Sequence, residues 1–554
     1  MMAASQAHRL TGAQMTAEDL VALATHPQSR ISIDSDGLDR VIASRSIVDA
    51  VVARYTAEYA AGRAGARDYG ITTGFGRFKD VPISPDDLLA LQANLLPSHA
   101  AGVGASTDPL DPASYFGPEV VRAVLLLRIN AFLKGHSGVR PALLQALVDL
   151  FHAGIVPQVP IRGSLGASGD LCPLAHLFLP LVGQGWFLAP GHAGWLPGAR
   201  LGEFISLPTP AISFKEGLAL INGATFSAAL LAFAVVRAQH LVEVADGACA
   251  LALEGIAGCA RAFDARIHAA RNHPGQQQSA ARIRQLIEGS RGIEARGEVQ
   301  DPYCVRCAPA VHGATRDALR FVASVVEAEL NAATDNPLFF NDNQDPFDAL
   351  FEANWPAGYD GSERHSFSAG NFHGQPIALA ADLLTLAVAE LGSISERRTQ
   401  MLLDAHHNHG LPPNLTARPG VQSGYMIAQY TAASLVSENK VLAHPAVVDS
   451  IPSSANIEDH VPMALVAARK LQTVVHNVTA TLAIELLVGA QAVEWRHLQG
   501  ADFATAECDA IAARLGQGTA GLYRQVRSVV PRLVDDRVLS DDIRAVQRLV
   551  ERGG

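Results

Sequence analysis

The chain has 554 residues, 49% of them apolar and 18% charged, enough to bury a large core in one extended unit or in two to three subdomains. A net charge of −11 and the lack of any basic run exclude nucleic acid as a partner, because neutralising phosphates needs a surplus of Lys and Arg on some face. Six cysteines are too few for a disulfide framework, and residues 1–14 lack the apolar core of a secretion signal, so a reducing cytoplasm is expected.

In chain order, Thr16 with Asp19 three residues on predicts a helix start. Residues 171–199 and 217–236 contain no Asp, Glu, Lys or Arg and raise the question of a membrane. Pro173, Pro180, Pro190, His176 and Gln184 interrupt the first; Asn222, Thr225 and Ser227 sit among small residues in the second. Both read as the core of a helical bundle, with no membrane partner. The Gly/Pro-rich stretch 187–208 reads as a loop excursion, and 358–366 beside Tyr359 as a second. Helical periodicity dominates the second half: within 316–331, Leu319, Val322, Val326 and Leu330 recur at three- and four-residue steps, and Asn336-Pro337 ends that helix. Residues 377–391, 430–442, 462–488 and 541–550 repeat the pattern without strand alternation, so the expected fold is mainly α. No internal repeat or low-complexity linker is present, and the divisions drawn are soft: an amino-terminal part at 1–215, a central helical bundle at 216–490 and carboxy-terminal helices at 491–554.

The segment GSLGASGDL at 163–171 has three glycines at three-residue spacing. It meets neither phosphate-loop pattern, and no Lys follows. On composition alone, a tight turn with Asp170 capping the apolar helix from Leu171 accounts for it. Ala167-Ser168-Gly169, however, is a tripeptide able to cyclise: the Gly169 amide nitrogen attacks the Ala167 carbonyl, and water leaves the ring and the Ser168 side chain. Only small residues permit that approach. The product, a methylidene-imidazolone, supplies an electrophile that the twenty side chains lack, so no external cofactor is needed.

With this segment the sequence resembles the aromatic amino acid ammonia-lyases, most closely those acting on histidine. Six blocks carry the likeness: GSLGASGDLCPLAH at 163–176, YGITTGFG at 69–76, KEGLALING at 215–223, QDPYCVRC at 300–307, GNFH at 370–373 and SENKVLAHP at 437–445. The resemblance implies a long helical bundle of the ammonia-lyase/fumarase-like kind with a smaller, site-bearing amino-terminal part. It also implies a homotetramer whose sites draw residues from several subunits.

Eliminating ammonia requires an electrophile, a base near the β-carbon and an anchor for the carboxylate. By resemblance, Ala167, Ser168 and Gly169 form the electrophile and Tyr69 is the base, which calls for a lowered phenol pKa or a strong polar network. Tyr303 is its polar neighbour. Arg306 is the carboxylate anchor, because a guanidinium grips a carboxylate through two parallel hydrogen bonds that Lys cannot reproduce; Lys or Ala there chiefly weakens binding. Asn222 and Gln300 hold electrophile and substrate, and Phe372 shields the ring. Cys304 and Cys307 look like half a zinc motif, but no second pair lies at suitable spacing, and His406, His407 and His409 are too close together to face one ion from a regular element, so no metal is expected.

Substrate choice in that family turns on the pair occupied here by Ser98-His99, ahead of AAGVG at 100–104. Ser-His resembles the histidine enzymes, with His99 sensing the imidazole, and Glu438 stands where an acidic residue accompanies histidine use. The chain departs from the family at His407, Asn414, Ile457 and Thr72, where an apolar residue, Phe, Gln and Asn are usual. These departures leave open a substituted imidazole, a tyrosine or phenylalanine substrate, or an aminomutase outcome. A catalytically silent scaffold is opposed by the intact Ala167-Ser168-Gly169, Tyr69 and Arg306.

Overall fold

Helices supply every long element in the computed structural model, which describes residues 7–63, 65, 67–108, 111–340, 365–498 and 503–552. The loop expected at 358–366, with Tyr359, lies outside these except for His365 and Ser366. Thr16 caps the helix Ala17–Thr25 as expected, its Oγ1 accepting from the Asp19 amide at 3.0 Å and donating to the Asp19 carboxylate at 2.8 Å. The stripe Leu319, Val322, Val326 and Leu330 is buried on the helix Ala308–Leu330, while Phe321, off the stripe, is half exposed. The stretches 377–391, 430–442 and 541–550 lie in Gln375–Leu403, Met426–Leu442 and Leu539–Arg552, while the helix expected at 462–488 begins only at Ala464, after Met463 at φ +54°, and runs to His497.

One expectation is corrected. The excursion 187–208 contains regular structure: Trp186–Leu188 pairs antiparallel with Val156–Pro157 on one side and Leu196–Pro197 on the other, followed by the 3-10 turn Gly198–Glu203. Phe187, fully buried between exposed Trp186 and half-buried Leu188, gives the strand one apolar face too short for periodicity to reveal. Two further sheets among the described residues are two-stranded, His8–Leu10 parallel to Ile31–Ile33 and Leu338–Phe339 antiparallel to Ser366–Phe367.

The chain forms two compact units. The first comprises Met1–Phe233, Ser324–Leu379 and Ala446–Arg469; the second comprises Ala234–Ala323, Ala380–Pro445 and Lys470–Gly554. In the first, Val48, Val52, Tyr55, Ile71, Leu88 and Phe339 form a buried cluster that ties the helix Ser35–Ala60 to the turn after Tyr69. In the second, ion pairs are sunk among the helices: Arg398 grips Glu485 through two bonds of 2.5 and 2.9 Å with both side chains fully buried. Arg527 holds Glu494 in the same way at 2.7 and 2.8 Å, and the Tyr523 hydroxyl donates to that carboxylate. Thr225–Gly255, Gln375–Leu403 and Ala464–His497 are long and apolar enough to cross a membrane by length and composition, yet 67%, 56% and 89% of their most apolar windows are buried within the chain.

Candidate active site

The segment 163–170 joins the strand Val156–Pro157 to the helix Leu171–Phe178, and its glycines are there for their backbone. Gly166 and Gly169 sit at φ +77° and +75°, where any side chain is strained. Bridges between Gly166 and Gly169, and between Ala167 and Gly169, close the tripeptide on itself. A Cβ on Gly169 would lie 2.1 Å from the carbonyl carbon of Gly223, so this backbone can lie against its neighbour only as glycine. Asp170 does not cap its own helix with its side chain. Fully buried, it accepts from the Ser164 hydroxyl at 2.7 Å and from the amide of Ser227, in the first turn of Thr225–Gly255, at 2.8 Å. It therefore ties the loop to the start of a different helix, and burial raises its pKa despite these donors.

The block KEGLALING positions the partner of this loop. Lys215 pairs with Asp335 at 2.8 Å, both buried, and Glu216 receives Arg140 through two bonds. These pin the short helix Glu216–Ile221, whose far end is gripped by the fully buried Arg128, bonded to the carbonyls of Ala219 and Asn222. Asn222, the residue after that helix, is thus aimed at the loop: its Nδ2 donates to the Ser168 carbonyl at 2.7 Å, and the Gly223 amide donates to the same oxygen at 3.3 Å. Its own Oδ1 is buried without a partner.

Ser168 opens onto a cavity of about 1250 Å³, lined also by Tyr69, His99, Ala167, Asn222 and Phe372. The Tyr69 hydroxyl accepts from the Gly76 amide at 3.1 Å. Burial raises its pKa, the Gly76 bond lowers it, and the Glu458 charge raises it again, so the net direction is opposite to the one a base needs. His99 ends the helix Leu88–His99, with Nδ1 2.9 Å from the Leu95 carbonyl. That bond makes Nδ1 the protonated nitrogen and leaves Nε2 as an acceptor. Burial lowers the His99 pKa, which keeps the ring neutral.

A residue that composition and spacing did not single out completes this wall. Glu458 Oε1 lies 2.5 Å from the Ser168 hydroxyl, and its Oε2 accepts from Ser453 at 2.8 Å. Its only signal in the sequence was its place beside the unusual Ile457.

Five expected site residues do not line this cavity and belong to the second unit. Tyr303 opens the short helix Tyr303–Arg306 and is 71% exposed; the Arg306 guanidinium stacks over its ring at 4.5 Å and donates to the Asp301 carbonyl. Gln300 is exposed. Glu438 is exposed and accepts from Asn477 at 2.8 Å, and exposed His407 bonds Asp404 at 2.8 Å. The Cys304 thiol lies against the Met401 sulfur at 3.9 Å.

Residues 15–528 match the model of the family described as aromatic amino acid lyase. The chain belongs to the aromatic amino acid lyase family. It is a carbon–nitrogen lyase. It is 44% identical over 546 residues to the histidine ammonia-lyase of Caldanaerobacter subterraneus subsp. tengcongensis, covering 98% of this chain and 96% of the relative. The crystal structure of histidine ammonia-lyase from Trypanosoma cruzi matches with a TM-score of 0.81 at 36% identity, covering 99% of this chain and 94% of that one. The tyrosine aminomutase of Streptomyces globisporus matches with a TM-score of 0.83 at 32% identity, covering 99% and 97%.

Within this lyase, two of the departures have local explanations. Asn414 adopts φ +50°, a left-handed conformation that Asn tolerates and Phe does not favour. Thr72 Oγ1 accepts from the Asp68 amide at 2.8 Å, closing the turn that carries Tyr69. Ile457 lines the cavity and is 45% exposed. Nothing in the structure explains His407.

Proposed function

We propose that this lyase eliminates ammonia from L-histidine to give trans-urocanate, as a cytoplasmic homotetramer whose electrophile is a methylidene-imidazolone made from Ala167, Ser168 and Gly169. The observation that carries this reading is the pair of donors, Asn222 Nδ2 and Gly223 N, on the Ser168 carbonyl of a tripeptide already folded back on itself. The residues fit the ring. Gly169 lies in a cradle that a Cβ would fill, and the Ser168 carbonyl, which remains in the ring, is the atom the donors hold. Formed there, the ring supplies an electron-poor methylene carbon.

The side chains divide the remaining work. Neutral His99 lines the cavity and, with Nδ1 spent on the Leu95 carbonyl, has Nε2 left to accept from a substrate imidazole N–H, which supports histidine as the substrate. Tyr69 takes the β-proton at its phenolic oxygen. Because its own surroundings raise its pKa, it needs positive charge and hydrogen bonds from elsewhere. Tyr303 and Arg306 from a neighbouring subunit meet that need, Arg306 anchoring the substrate carboxylate; Gln300 and Glu438 arrive with them, and Phe372 covers the ring. The assembly is supported by apolar side chains left on the helix Met426–Leu442, where Ile427, Tyr430 and Val441 are 56%, 60% and 74% exposed.

A substrate panel tests this. Histidine is expected to yield urocanate absorbance; coumarate from tyrosine with no product from histidine overturns the substrate, and a β-amino acid product replaces the lyase outcome with a mutase one.

A further inference from the structure

Making the ring from Ala167-Ser168-Gly169 expels two waters, and the two losses place different demands on the surroundings. In the first, the Gly169 N–C bond to the Ala167 carbonyl carbon forms, and the carbonyl oxygen departs with the amide protons of Gly169 and Ser168. In the second, the Ser168 Cα–H and Cβ–Oγ bonds break while Cα=Cβ forms. Hydroxide is a poor leaving group, so the second step needs an acid at Oγ.

Resting on the proposed ring chemistry, we infer that Glu458 is the acid that completes the electrophile, delivering a proton to the departing Ser168 hydroxyl. Its Oε1 accepts from that hydroxyl at 2.5 Å, so close that a proton on the protonated carboxyl passes to Oγ along the same short path. Of the other titratable groups that line the cavity, the Tyr69 hydroxyl bonds the Gly76 amide and His99 Nδ1 the Leu95 carbonyl, and among the described residues none of these groups bonds the Ser168 hydroxyl. His373 bonds the His460 carbonyl through Nε2 at 3.1 Å, with the two rings stacked.

Glu458 is also held still. Ser453 donates to its second oxygen, and the backbones of Ser453 and Glu458 bond in both directions at 2.9 and 3.3 Å. The turn these bonds close runs through Ser454, Ala455 and Asn456 at φ of +50°, +53° and +65°, a conformation that L residues adopt only at a cost. The carboxyl gives its proton to Oγ, water leaves, the Cα proton passes to water in the open cavity, and Glu458 is reprotonated from the same source. Glutamine at this position keeps a hydrogen bond but carries no acidic proton.

The experiment is intact and peptide mass of the purified full-length chain, followed over time after synthesis. The wild type is expected to lose two waters. Glu458→Gln is expected to stall after one, with the serine hydroxyl retained. Loss of both waters at the wild-type pace by Glu458→Gln overturns the inference, and so does retention of both, which would place Glu458 in ring closure or folding instead. A wild type that retains both waters overturns the ring chemistry itself, so the two failures are distinct. Should Glu458→Gln not fold, Ser453→Ala decides: it keeps the carboxyl but frees it, and a lag in the second water loss supports the role, whereas wild-type timing overturns it.

Discussion

The loop at 163–170 and the buried Arg398–Glu485 and Arg527–Glu494 pairs of the second unit handle polar groups in opposite ways. In the core, Arg398 and Glu485 are fully buried and satisfy each other through paired bonds, and Glu494 is met by Arg527 and Tyr523. At the loop, the Ser168 carbonyl takes two donors, yet Asn222 Oδ1 beside it has none, and glycines hold left-handed angles. A saturated network fixes a fold; an unsaturated one leaves groups free to act. Chemistry and stability are therefore assigned to different residues.

Breaking the loop should abolish activity and spare the fold. Ser168→Ala is expected to cost about 10³-fold or more in kcat, the scale of losing a group on which the chemical step depends, with thermal stability changed by less than about 1 kcal/mol. Retained turnover breaks the comparison. Breaking the core should do the reverse: Arg398→Met leaves the Glu485 charge uncompensated and is expected to cost about 3–5 kcal/mol of stability, read by denaturation, while the mass of the folded fraction still shows two waters lost.

Acid sharpens the contrast last, because it strikes both regions. Burial lowers His176 and His497 to about 4. The folded chain holds both neutral, and His176 Nε2 must stay unprotonated to accept from the Gly102 amide at 3.0 Å. As pH falls below the ordinary value near 6.5, the unfolded chain binds protons first. Stability present above pH 6.5 is then lost down to about 4, at most about 3 kcal/mol for the more buried His176 and less for His497, whose greater exposure lets solvent screen the effect. His176→Gln should remove one ring's share of that acid slope in thermal melts; an unchanged slope refutes the assignment.

The helices were legible because their apolar spacing is local, as Leu319, Val322, Val326 and Leu330 illustrate. The strand at Phe187 was not, since three residues carry no period. Of the site, Ala167-Ser168-Gly169, Tyr69, His99, Asn222 and Phe372 were named from motifs, and they line or adjoin one cavity in the first unit. Glu458 escaped because nothing near it in the chain marks a carboxylate as chemical; only its approach to Ser168 across 290 residues does. Asp170 stands at the N-cap of its own helix, where its carbonyl accepts from the Leu174 amide, but its side chain serves Ser227 instead, which no local pattern shows.

By itself, then, the sequence determined the helical class, the family and the tripeptide, all of which depend on residue type at short spacing. Only the tertiary structure decided which carbonyl Asn222 holds, that burial raises the Tyr69 phenol and keeps His99 neutral, and that Glu458 faces the Ser168 hydroxyl. Hydrogen-bond partners and desolvation depend on what distant segments bring together, and no local pattern encodes that.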